Sequence, residues 1–325
     1  FGLEAPETVP LMSVQVEPTA PLTQSALLAH LREMEEEDPL LSVRPEADGV
    51  SVGVMGAVQV EVLQGILAVR FGDVVRMCPP HVLYKETIAA PAVGIGHYEP
   101  LRHYAEVWLK LEPGAPGSGI SFAADCPPNS LEENWQRLIR THVFERAHPG
   151  VLTGSPLCDV RIRLIAGRAH LKHTEGGDFR EATCRAIRNA LMQAENVLLE
   201  PVVRFELAMP NEALARVTGE LLRIGAQLDA SETDGGETTL TGRCTAAMFW
   251  DYPTRFAAST HGHGRIASRF DRYEPCKNQD DVVRQIGYDP LADTLNPPGS
   301  VFCSHGAGFY VAWDHVREWA HCEVE

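Results

Sequence analysis

No window of the chain reaches 18 uninterrupted apolar residues, so a helical membrane span has no sequence support. No charged-then-apolar leader with a small-residue cleavage site opens it, so nothing marks it for secretion. Its eight cysteines, at 78, 126, 158, 184, 244, 276, 303 and 322, include no Cys-x-x-Cys pair. With no small secreted framework to staple, reduced thiols in a cytoplasmic protein are the expectation. There is no Gly-x-x-x-x-Gly-Lys-Ser/Thr phosphate loop, no Gly-x-Gly-x-x-Gly, no Gly-x-Ser-x-Gly, no His-Glu-x-x-His and no EF-hand pattern. These absences argue against a self-contained enzyme of a common class. Excess basic charge is also missing. Lys and Arg total 28 against 44 Asp and Glu, a net −16, which disfavours simple sequence-independent nucleic-acid binding. The chain opens Phe1-Gly2-Leu3 without methionine, as expected of a fragment or a processed chain.

What is present suits a soluble globular chain: 325 residues, 44% hydrophobic and 22% charged, enough for two or three domains. The acid sits at the ends. Residues 1–81 carry 4 basic and 12 acidic side chains and residues 276–325 carry 3 and 8. Residues 82–201 carry 13 and 14, and residues 202–275 carry 8 and 10, so basic strips in the middle can still meet phosphate.

Residues 1–81 read as βαββαβ in about 70 residues, the split βαβ of ferredoxin-like domains. Residues 1–9 are irregular, and a strand follows over 11–17. Thr23 caps a helix carrying Leu27, Leu28, Leu31 and Met34. Strands at Leu40–Arg44 and Val50–Met55, a helix from Val58 to Phe71 stopped by Gly72, and a strand from Val74 to Cys78 complete it. Residues 202–275 repeat the order. Asn211 caps a helix closed by Gly225, strands flank an Asp-Gly-Gly turn, and Thr245 opens one helix through Phe256. Residues 82–201 form a different αβ unit. Ser130 with Glu133, and Asp178 with Glu181, have capping-box spacing, and Asp178 heads a helix burying Phe179, Ala182, Ala186, Ile187, Ala190 and Leu191. Residues 276–325 are a tail expected to pack on the last domain or a neighbour, with Gly299–Val311 as two strands around a Gly-rich turn and Phe302, Phe309, Trp313 and Trp319 as anchors.

Several stretches carry a resemblance. Pro10-Leu-Met-Ser-Val-Gln-Val-Glu-Pro18 and Gly53-Val-Met-Gly-Ala-Val-Gln-Val-Glu61 are similar to domain III of elongation factor G. Val82-Leu-Tyr-Lys-Glu-Thr-Ile88, and Leu111-Glu-Pro-Gly114 with Gly117-Ser-Gly119, resemble its domain IV. Leu198-Leu-Glu-Pro201 matches the link to domain V. Each is weak alone; five in register over about residues 4–270 are specific. Within this superfamily of translational GTPases, Asp178-Phe179-Arg180 before Leu-Leu-Glu-Pro is closest to the tetracycline-resistance ribosomal protection proteins.

The resemblance implies an α+β fold: ferredoxin-like domain III at 1–81, an elongated tip domain IV resembling ribosomal protein S5 at 82–201, ferredoxin-like domain V at 202–275, and an extension at 276–325. It implies a ribosome partner, both rRNA and ribosomal proteins, in the cytoplasm with no membrane. It also implies N-terminal GTPase domains before Phe1 that would hold GTP and Mg, with no cofactor or catalytic residue in this portion. In the ribosomal protection proteins the loop before Asp-Phe-Arg reaches the decoding centre and helps displace the drug. Here that loop is His173, Thr174, Glu175, Gly176 and Gly177, shorter and without the Tyr-Ser-Pro of those members. The competing implication is an elongation or rescue paralogue without drug protection.

Three groups of residues are candidate sites. The tip loop's glycines allow close approach to RNA and φ above zero, Asp178 fixes its base, and the preceding strand carries Arg161, Arg163, Arg168 and Lys172, with Arg161 and Arg163 on one face suited to phosphate. The same residues also read as a polar hairpin turn with a solvated strand face. The second group is Thr260, His261, Gly262, His263, Gly264 and Arg265, similar to the Thr-Gln-Gly-Arg-Gly loop of domain V, which faces the ribosomal GTPase centre. Its plainer reading is a flexible loop, and His-x-His also suits a metal. The third is Cys276, Cys303, His305 and Cys322, with His315 and His321 nearby. These are zinc-type ligands at irregular spacing, open to readings as a structural zinc, a metal-dependent regulatory module, or ordinary buried thiols.

Overall fold

A computed structural model describes residues 9–322. The irregular segment expected over 1–9 and the last residues of the tail lie mostly outside them. The fold is α+β, and the four predicted segments gather into two compact units: residues 1–83 with 200–274, and residues 84–199 with 275–325.

The first unit holds two copies of one topology. In residues 12–77 the strand Met12–Pro18 buries Met12, Val14 and Val16 and pairs antiparallel with Val50–Val54 and with Val75–Met77. The short strand Arg44–Pro45 lies outside Val50–Val54, giving the sheet order of a ferredoxin-like domain. Thr23 caps the helix Gln24–Glu37 by accepting from the Ala26 amide at 3.3 Å. The strand expected at Leu40–Arg44 is not formed. Asp38 accepts from the Leu40 amide and Pro39–Leu41 closes into a 3-10 turn, so only Arg44–Pro45 pairs. The second helix, Ala57–Ile66, runs on through Leu67–Phe71 to Gly72, whose φ of 72° ends it.

In the second copy, Glu237–Thr245 pairs with residues 202–210, and Gln227–Asp234 and Arg265–Pro275 take the outer places. Asn211 does not cap a helix. Its side chain donates to the Gly235 carbonyl and accepts from Thr238, fastening the Asp-Gly-Gly turn instead. The single helix expected from Thr245 to Phe256 is two, Ala246–Phe249 and Tyr252–Ser259, because Pro253 in the first turn of the second favours a new start. One apolar core serves the whole unit, with Leu27, Leu31, Val217, Leu221, Tyr252 and Phe256 fully buried in it.

The second unit is a six-stranded sheet, with the helix Gly176–Gln193 across one face. Ala92–Tyr98, Ala105–Pro113 and Val160–Ala169 are central, and Ile120–Ala124 closes one edge. Helix and sheet meet at backbone distance. A Cβ at Gly94 or Gly96 would lie 2.0 and 1.8 Å from the carbonyl oxygens of Ala186 and Ala182. Two glycines on a strand against alanines four apart on a helix make that approach possible.

Both predicted capping boxes are displaced. Glu132 precedes the helix Glu133–Phe144, and Ser130 sits in a turn, its amide bonded to Pro127. At the long helix the box pairs Glu175 as cap with Asp178 in the first turn, not Asp178 with Glu181. Gly176 and Gly177 therefore belong to the helix, and neither has positive φ.

The tail joins this second unit rather than the last ferredoxin-like domain. Ser300–Ser304 and Ala307–Val311 form a hairpin whose turn residues His305 and Gly306 have φ of 52° and 80°, the type I′ signature. Ser300–Ser304 lies parallel to Ala92–Tyr98, extending the sheet. On the face away from the long helix, Phe302, Val311 and Val316 build a small core with Ile95 and Trp108. No helix among the described residues is long and apolar enough to cross a membrane.

Candidate nucleic-acid interface

The tip of the second unit is built by the end of Val160–Ala169, the turn 170–175 and the start of the long helix. The His103 ring nitrogen Nδ1 lies 2.8 Å from Asp178 Oδ1, and Asp178 Oδ2 accepts from the Glu175 amide at 2.8 Å. Thr174 Oγ1 donates to the Tyr104 carbonyl at 2.6 Å and accepts from the His170 amide at 2.7 Å. This pins the turn from both sides. His170 and His173 stack with ring centres 4.6 Å apart, and Leu171 between them is fully exposed. Of the predicted loop, His173, Thr174 and Glu175 form the turn; the two glycines do not.

A bulge organises the basic strand. Arg161 and Arg163 lie opposite Glu112 and Lys110, and Arg168 lies opposite Glu106, on the same sheet face. Simple alternation would send Arg168 to the other face. The register shift between Leu164 and Ala166 returns it. Arg161 is exposed, while Arg163 is bonded to Asp125 and to Glu112 at 3.3 Å. Lys110 pairs with Glu112 at 3.0 Å, and the Arg317 guanidinium sits 5.6 Å from the Trp108 ring centre. Arg161 and Arg168 are thus the exposed basic groups of the strand, Arg168 donating to the His321 carbonyl at 3.5 Å, and Lys172 lies in the exposed turn beyond them.

In the loop after Tyr252–Ser259, Thr260 is buried with its hydroxyl on the Phe256 carbonyl at 2.9 Å. It terminates the helix. His261 and Gly262 take φ of 49° and 78° and are exposed. A Cβ at Gly264 would meet the Phe256 ring at 2.6 Å, so that glycine serves packing. Arg265 is paired with Glu237 at 2.7 Å at the surface. His261, Gly262 and His263 are the part open to a partner.

The zinc candidates Cys276, Cys303, His305 and Cys322 are not brought together. Cys276 is buried against Leu198 and Val282, Cys303 lies in the tail hairpin, and His305 is at its turn beside the Ser304 hydroxyl. Among the described residues, the group whose ligand atoms converge within 4.8 Å is His97, Glu106 and His321. Its polar capacity is met internally. Glu106 accepts from His97 Nδ1 at 2.7 Å, Trp108 Nε1 at 2.8 Å, and the amides of His321 and Cys322 at 2.8 and 2.7 Å. The other nitrogen of His97 faces Glu99 at 3.0 Å. Burial would raise the Glu106 carboxyl, but these donors outweigh it and hold the pKa down to about 2. Burial and the Glu106 charge push the Cys322 thiol well up, so it is no ready nucleophile. The group is a clamp fastening the tail to the sheet. No spacing signal could have found it, because its members come from positions 97 to 322.

Two motif residues acquire roles here. Buried Glu86, of Tyr-Lys-Glu-Thr-Ile, accepts from the amides of Leu152, Thr153 and Ser155, at 2.9, 2.8 and 3.2 Å. Asp159 accepts from the amides of Gly117 and Gly119, at 3.0 and 2.9 Å, explaining Gly-Ser-Gly.

Residues 80–195 match the family model for elongation factor G, domain IV, and residues 197–282 match that for the elongation factor G C-terminus. A crystal structure of a protein from Thermus thermophilus superposes with a TM-score of 0.71 at 24% identity, over 87% of this chain. The match spans 44% of that protein's length, and at this identity it speaks for the fold.

Proposed function

We propose, for a chain that belongs to the elongation factor G superfamily over residues 80–195 and 197–282, that it is the ribosome-engaging part of a translational GTPase. The observation that carries this reading is the pair of adjoining domain matches. The tip supports it: a pinned turn with stacked His170 and His173, exposed Leu171 and Lys172, and the basic face of Val160–Ala169 behind it. Phosphate contacts from Arg161, Arg168 and Lys172 would position the tip, and the histidine rings would stack on unpaired bases. His261 to His263 would form a second contact. GTP and Mg would be held by domains preceding this chain, and the working compartment would be the cytoplasm.

Within that reading the subtype we favour is ribosomal protection against tetracycline, on the Asp178-Phe179-Arg180 resemblance. The second reading, an elongation or rescue paralogue, is favoured by one observation: with Gly176 and Gly177 helical, the projecting turn is only residues 170–175. In-vitro translation stalled with tetracycline, with the GTPase-containing parent and GTP, separates them. Restored synthesis supports protection. Intact ribosome-stimulated GTP turnover without restoration supports the paralogue. The shared premise is tested by ribosome co-sedimentation of this chain across a salt series. Arg161→Ala/Arg163→Ala should bind more weakly with a shallower salt slope, and unchanged binding would count against the basic face.

A further inference from the structure

On the helix Gly176–Gln193, Arg180, Cys184 and Arg188 recur every fourth residue, with Glu181 and Arg185 beside them. This stripe does not face the main core. It lines a cavity of about 70 Å³ closed by Arg146 and His148 on one side and by Asn296 and Pro297 of the tail on the other. Four arginines in the wall of so small a cavity face one lining carboxylate, Glu181.

Part of this arginine chemistry is structural. Arg188 donates to the carbonyls of Pro149 and Gly150 at 3.0 and 2.8 Å, and Arg185 to the Gly299 carbonyl at 2.8 Å. Arg180 is held by Glu145 at 2.8 Å, Arg185 pairs with Glu181 at 3.5 Å, and Asp293 lies 3.9 Å from Arg188, so Arg146 is the one of the four without a carboxylate beside it among the described residues. What remains points to a ligand. Arg188 is 3% exposed and Arg185 9%, yet the Nε–H of each has no acceptor among the described residues. A buried donor without a partner is costly. Arg146 is held by the Asn296 amide oxygen and pairs with no carboxylate among the described residues. Burial pushes the His148 imidazole down and its Nε2 faces the Val143 carbonyl at 2.9 Å, so the positive charge of the site is that of guanidinium groups.

We propose that this cavity is an anion site for a single phosphate group, either free phosphate or the terminal phosphate of a small phosphomonoester. Planar guanidinium forks suit a tetrahedral oxyanion with several acceptor oxygens. The size suits one such group. It is well below the roughly 300 Å³ at which pockets for drug-sized ligands begin, so a whole nucleotide does not fit. Because Asn296 and Pro297 close the cavity, an occupant would also tie the tail to the long helix.

The test is isothermal titration calorimetry of the full chain with inorganic phosphate, against sodium chloride at matched ionic strength. Saturable binding tighter than about 1 mM is expected, weakened about tenfold or more in Arg146→Met and in Arg185→Met. Arg146→Met leaves every contact to the tail backbone in place, so it reads the site even if Arg185→Met fails to fold by circular dichroism. Ribose 5-phosphate separates the sources: equal affinity assigns the monoester, and binding of inorganic phosphate alone assigns the free ion. No saturation, the same heat with chloride, or unweakened binding in Arg146→Met would overturn the site.

Discussion

At the scale of single residues, Gly264 and Gly177 look alike in sequence and differ in the structure. A methyl at position 264 meets the Phe256 ring at 2.6 Å and Thr260 Oγ1 at 2.9 Å, both buried. Gly264→Ala should therefore cost about 1–3 kcal/mol, read as a lowered urea midpoint. Gly177 has nothing within 4 Å and sits in the first turn of a helix, so Gly177→Ala should be neutral or stabilising by up to about 1 kcal/mol. A drop in stability there would show that the tip needs the glycine backbone. Glu86 is a third such residue. Its carboxylate receives three amides and the Thr153 hydroxyl. Glu86→Gln puts a donor where the loop also offers donors, and thermal unfolding should show a loss of about 1–3 kcal/mol.

At the scale of elements, the tail hairpin is the addition that alters the sheet. Its attachment rests on the small core around Phe302 and on Glu106, which binds two consecutive tail amides. The Glu106 carboxyl is held down to about 2, below the usual value near 4.3 of an exposed glutamate. Its stabilisation is thus fully present above about pH 4.5 and is lost as pH falls toward about 2. Near-ultraviolet circular dichroism, which reports the packed Trp108, should follow that loss in acid. At neutral pH Glu106→Gln leaves one set of N–H groups facing an amide NH2. Hydrogen exchange over residues 300–322 should then quicken, and Cys322 should alkylate faster. Wild-type exchange rates in the variant would mean that the apolar core alone holds the tail. The bulge in Val160–Ala169 belongs to this scale too, because it turns three arginines of mixed parity into one face.

At the scale of the whole molecule, the two ferredoxin-like segments share one core although 116 residues separate them, from 84 to 199. Residues 84–199 are inserted between them in the chain. Residues 82–201 are nearly neutral, so the basic face of Val160–Ala169 is a local feature, while the acidic excess lies in residues 1–81 and in the tail. Ribosome binding by the intact chain should therefore weaken steeply with salt while keeping a residual term from stacking.

Element order and the core faces were legible in the sequence because strand and helix periodicities are local: the strand expected over 11–17 forms as Met12–Pro18, and the Phe179–Leu191 face is buried as expected. So were the motif stretches, though not the reasons for them. Local competition moved the boundaries, as where Glu175 and not Asp178 heads the long helix and where Asn211 fastens a turn. Tertiary structure alone decided what depends on residues far apart in the chain. The tail joins the sheet of residues 84–199 because Trp108 and Ile95 offer an apolar face and Glu106 an acceptor for its amides. The candidate zinc residues of mixed spacing lie apart for the same reason: Cys276 is buried against Leu198 and Val282, Cys303 and His305 lie in the tail hairpin, and Cys322 is tied to Glu106. The arginine cavity exists only because residues 296–297 fold back over a helix more than a hundred positions earlier, and no spacing rule reaches that far.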